Sequence, residues 1–79
     1  MRLGTRWDVG DEAPAGLSDS MLRAIARVEA ELEADGIDAV GWRWTLTWLE
    51  RRATAELDDG TLVREEHDGT ASIRLPEPE

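Results

Sequence analysis

The chain has 79 residues, and its 18 aspartates and glutamates outnumber nine basic residues to give a formal net charge of −9. A chain this short builds one domain around one small core, which excludes a catalytic cleft between two lobes. It has no cysteine and one histidine, which excludes a disulfide framework and, within one chain, a zinc site of about four nitrogen or sulfur ligands.

No apolar run approaches the roughly 20 residues of a membrane span. The opening MRLGTRWDVG lacks the apolar core of a signal peptide. A cytoplasmic protein with no membrane contact is the expectation. So negative a field repels phosphates, so direct nucleic-acid binding is not expected, and basic protein surfaces are the natural partners.

Residues 1–16 read as an N-terminal arm or edge strand. Leu3, Thr5, Trp7 and Val9 alternate with Arg2, Gly4, Arg6 and Asp8, as in a short strand. The stretch GDEAPAG then reads as a loop. Trp7 either latches this arm onto the sheet or stands exposed as an anchor for a partner.

Residues 18–35 predict a helix. Met21, Ile25, Val28 and Leu32 recur at helical spacing, with Leu22 and Ala26 widening the stripe. Ser18 suits the N-cap, Leu17 and Leu22 a hydrophobic staple, and Gly36 the left-handed stop.

Residues 40–76 predict an antiparallel meander. Trp42, Trp44, Leu46 and Trp48 share one face of a strand, and Arg43, Thr45, Thr47 and Leu49 the other. A two-residue turn at Glu50-Arg51 would set Trp48 opposite Ala53, Leu46 opposite Ala55 and Trp44 opposite Leu57, large against small. DDGT at 58–61 and HDGT at 67–70 each suit a type I turn with a glycine bulge. Those turns set Ala55 opposite Val63 and Val63 opposite Ile73, so the core residues of three hairpins fall on the tryptophan face. Residues 77–79 belong to a proline-containing tail that cannot extend a ladder.

The expected fold is therefore α+β: one helix on one face of an antiparallel sheet of three to five strands, in the order (β)-α-β-β-β-β. Trp44 and Trp48 are expected in the core, with Trp42 partly covered, because no Phe or Tyr is present to supply aromatic volume. The other sheet face carries Arg43, Thr45, Thr47, Leu49, Thr54, Glu56, Leu62, Arg64, Ser72 and Arg74, polar at its margins with Leu49, Leu62 and threonines between.

Nothing in the chain points to catalysis. His67 falls at a turn tip, which offers no pocket for a nucleophile. Asp58, Asp59, Glu65, Glu66 and Asp68 flank two turns whose geometry already explains them, and none has the spacing of a calcium loop. No nucleotide fingerprint is present. No cofactor and no metal are expected.

One feature works against local stability. The helix carries Arg23 and Arg27 in its first half and Glu29, Glu31, Glu33 and Asp35 in its second. The macrodipole favours the reverse order, and Glu29 and Glu33 repel one turn apart. These four carboxylates are either a solvated acidic face or the candidate partner-binding patch, with Asp58, Asp59, Glu65 and Glu66 as a second. Carboxylates held on a rigid small domain can imitate a row of phosphates.

In size, acidity and lack of a catalytic motif the chain resembles small phage-encoded inhibitors of host defence, the anti-CRISPR and DNA-mimic proteins. The resemblance implies a nucleic-acid-binding target whose positive channel the protein occupies; it rests on general character, so no functional residue carries over. The expected function is thus a non-enzymatic acidic interaction module. Its alternatives are a small structural domain that self-associates through the face around Thr47, Leu49 and Leu62, or an antitoxin-like partner of a basic toxin. The expected state is monomer or homodimer.

Overall fold

A computed structural model describes residues 4–76. Six elements follow one another: β1 (Thr5–Asp8), α1 (Asp19–Ala34), β2 (Arg43–Leu49), β3 (Arg52–Leu57), β4 (Leu62–Glu65) and β5 (Ala71–Arg74). All five strands form one antiparallel sheet in the order β1-β2-β3-β4-β5, and α1 packs on one face of it. The protein is an α+β fold with the element order β-α-β-β-β-β.

The helix begins where Ser18 accepts the Met21 N–H on its Oγ at 3.2 Å, which satisfies one of the orphan donors of the first turn. It ends in a Schellman motif. Gly36 takes φ +71°, its N–H bonds Glu33 O at 3.0 Å, and the Ile37 N–H bonds Leu32 O at 3.0 Å. Met21, Ala24, Ile25, Val28 and Leu32 are buried. Leu22 and Ala26, expected to widen the apolar stripe, face solvent instead. The helix is rolled so that its Ala24 flank meets Ala71 and Ile73 on β5. A small side chain there lets the helix approach the sheet closely.

The hairpins have the expected registers. Trp44 pairs with Leu57, Leu46 with Ala55, Trp48 with Ala53, Ala55 with Val63 and Val63 with Ile73. Glu50 and Arg51 both adopt positive φ, +52° and +67°, as a type I′ turn demands. The two DGT turns are near copies. The Leu57 N–H bonds Thr61 O at 2.8 Å, and the Glu66 N–H bonds Thr70 O at 2.8 Å. Gly60 and Gly69 sit at φ +99° and +87°, where a β-carbon would be strained.

Trp7 is the latch of the N-terminal strand. It pairs with Trp44, stacks on it at 6.1 Å with 16° between the ring planes, and is 8% exposed. Such a stack contributes about 0.5–1.5 kcal/mol beyond the area it buries. Trp44 is fully buried and Trp42 half-buried.

Trp48 departs from expectation: it is 41% exposed rather than part of the core. Its face is the right one, but α1 lies mainly over β4 and β5, and β1 as described begins at Thr5, opposite Leu46. Its direct cross-strand neighbour, Ala53, is too small to cover an indole.

Candidate interaction surfaces

The eight carboxylates singled out by sequence do not form two patches. The antiparallel order puts the β2–β3 and β4–β5 turns at one end of the sheet and the β3–β4 turn at the other. Asp58 and Asp59 therefore lie at the opposite end of β4 from Glu65 and Glu66. The expected second patch is split because alternate turns of a meander must point opposite ways.

Asp58 and Asp59 instead join the end of the molecule where α1 finishes. Asp58 Oδ2 accepts the Arg43 N–H at 2.9 Å, and Arg43 Nε contacts Asp8 Oδ1 at 3.2 Å. Glu29 Oε2 accepts the Trp44 indole N–H at 2.8 Å and the Gly10 N–H at 3.3 Å, which ties the late turns of α1 to this same end. Glu33 and Asp35 continue along α1, and Asp38 caps the loop beyond it by accepting the Val40 N–H at 3.1 Å. This is the acidic end of the protein. Between α1 and the β1 terminus runs a groove of about 420 Å³, whose lining includes Ala26, Ala30, Ile37, Glu29 and Glu33.

The carboxylates here are not equivalent. Glu29 is half-buried and engaged twice, so it holds the fold together. Asp59 closes its own turn by accepting the Thr61 N–H at 2.8 Å. Glu31, Glu33 and Asp35 are exposed, and Glu31 makes an exposed pair with Arg27 at 3.2 Å.

The other end is mixed in charge. Glu65 accepts the Ala53 N–H at 3.3 Å, and Glu66 accepts the Ser72 hydroxyl at 2.7 Å. Glu50, Arg51, Arg52 and His67 surround them along a groove of about 310 Å³. Arg52 Nη1 lies 3.0 Å from His67 Nε2; the guanidinium can only donate, so that ring nitrogen accepts. Asp68 accepts both the N–H and the hydroxyl of Thr70, at 3.0 and 2.6 Å. These bonds hold its carboxyl below the usual carboxylate range.

Among the described residues no group of three or more His, Cys, Asp or Glu side chains converges as a metal site would require, and no helix is long and apolar enough to cross a membrane. No protein-family model matches this chain, and no curated protein or solved structure matches it either.

One surface is only partly legible in the sequence. The sheet face opposite α1 carries five arginines, one per strand: Arg43, Arg64 and Arg74 fall there from the sequence, and the pairing of β1 and the start of β3 adds Arg6 and Arg52. Counting alternate residues through all five strands, β1 included, reveals it.

Proposed function

We propose that this protein is a non-enzymatic interaction module whose acidic end docks on a basic protein surface. The observation that carries the reading is the unfavourable order of charge along α1. Glu31, Glu33 and Asp35 crowd the negative end of the helix dipole and lie at the same end of the molecule as Asp58 and Asp59. Within the helix only Glu31 is partly offset, by its pair with Arg27; the order of charge opposes the dipole, and a partner's positive charge would offset that cost. The groove beside them suits an arginine or lysine of the partner. Its stem would lie on Ala26, Ala30 and Ile37, and its head would meet Glu33.

The finer reading is a phage-type inhibitor, of the anti-CRISPR or DNA-mimic kind, that occupies the nucleic-acid channel of a host complex. What supports it is the resemblance in size and acidity. The test is capture of partners from host lysate on the tagged protein at low and high salt, with duplex DNA added as competitor. A nucleic-acid-binding complex held at low salt and displaced by DNA is the expected result. Capture that is indifferent to both salt and DNA would sink the reading.

A further inference from the structure

Every strand of the sheet places one arginine on the face that α1 leaves open: Arg6 on β1, Arg43 on β2, Arg52 on β3, Arg64 on β4 and Arg74 on β5. Among the described strand residues the same face holds two carboxylates, Asp8 and Glu56. At the rim of this face Glu66 accepts the Ser72 hydroxyl and Glu50 pairs with Arg52, but along the strands themselves arginine outnumbers carboxylate in a chain of net charge −9.

Folding does not call for it. Arg43 and Arg52 have exposed carboxylate partners in Asp8 and Glu50, pairs of a kind that contributes little. Among the described residues, Arg6, Arg64 and Arg74 have no carboxylate within ion-pair distance. Arg64 and Arg74 stand diagonally on adjacent strands, where like charges repel.

Two shallow grooves meet at Arg64. One, of about 190 Å³, runs past Leu49, Arg52 and Thr54. The other, of about 170 Å³, runs past Leu62, Ser72 and Arg74. Each brings together a leucine, two arginines and a hydroxyl; Glu65 also lines the first, and the Ser72 hydroxyl of the second donates to Glu66.

We propose that this open face is a second docking surface, for an acidic amphipathic segment of a partner protein. The partner's carboxylates pair with Arg6, Arg64 and Arg74, and its apolar side chains cover Leu49 and Leu62. Charge complementarity selects the occupant, because the planar fork of arginine matches a carboxylate with two parallel N–H bonds. The leucines decide between carboxylate and phosphate partners. Leu49 is 72% exposed, and a phosphate backbone offers it no apolar contact. The described tryptophans, at 7, 42, 44 and 48, have the parity of the opposite face, so no indole is placed here to stack a base. A second copy meeting face to face would set five arginines and two strand carboxylates against the same set, an excess of like charge.

The test is fluorescence anisotropy with a short labelled peptide that alternates glutamate with leucine. A lysine-leucine peptide and a single-stranded DNA oligonucleotide are run beside it, with light scattering of the protein alone. The glutamate-leucine peptide is expected to bind saturably. Arg64→Glu with Arg74→Glu should weaken it at least about tenfold, with unchanged circular dichroism. Glu31→Arg with Glu33→Arg, at the acidic end, should leave it intact, which separates this surface from the other. Absent binding, or binding that survives the Arg64 and Arg74 changes, overturns the proposal. Tighter binding of the oligonucleotide assigns the face to nucleic acid instead. Self-association abolished by Arg64→Glu assigns it to a second copy.

Discussion

At the scale of single residues, the same side-chain type does different work a few positions apart. Glu29 and Glu33 look alike along the helix, yet Glu29 receives the indole N–H of the fully buried Trp44. Removing it leaves that donor unpaired, so Glu29→Ala should lower the unfolding free energy by about 1–3 kcal/mol in urea titrations; an unchanged midpoint would contradict the assignment. Asp68 offers a pH test. Its folded pKa is depressed by the two bonds from Thr70, so its contribution is present above the unfolded pKa and lost as pH falls through the folded one. Asp68→Asn should therefore be less stable than the parent at neutral pH and equal to it in strong acid. A difference constant with pH would argue that the bonds do not depend on charge. None of these roles is visible along the chain. Glu29 meets Trp44 only because α1 crosses the sheet at a particular place, and the alternation that puts Trp48 on the core face says nothing of how far the helix reaches.

At the scale of elements, the sequence was most informative where turn chemistry and side-chain size agreed. The DGT glycines, the Glu50-Arg51 pair and the large-against-small pairing of Trp48 with Ala53 each specify the same registers, and all three hairpins adopt them. The helix was legible for the same reason, with a cap, a periodic stripe and a glycine stop in agreement. Separation in space was less legible: Asp58 and Asp59 stand near Glu65 and Glu66 in sequence but at the other end of a strand. The β2–β3 turn also leaves room for improvement. Glu50 and Arg51 are held at positive φ, a conformation that disfavours residues with a β-carbon. Glu50→Asn with Arg51→Gly should raise the thermal midpoint and stabilise the protein by about 1 kcal/mol. A lower midpoint would mean that the Glu50–Arg52 pair at 3.4 Å matters more than the backbone strain.

At the scale of the whole molecule, charge is sorted rather than spread. The end formed by the last turns of α1 and the β3–β4 turn is acidic, the open sheet face is rich in arginine, and the far end is mixed. Net charge hides this, because in the sum Arg6, Arg64 and Arg74 on the open face cancel carboxylates at the acidic end with which they form no ion pair among the described residues. Such sorting gives the protein two surfaces of opposite sign, suited to partners of different chemistry. The proposed role of the acidic end is to bind a basic partner. The most direct test is the affinity of a captured basic partner across a salt series, for the parent and for Glu31→Arg with Glu33→Arg and Asp35→Arg. These positions are exposed, and Glu29 is left in place to protect the fold. Affinity is expected to fall steeply with salt, and the folded variant to bind at least about a hundredfold more weakly. Affinity that ignores salt and survives the reversal would contradict that role.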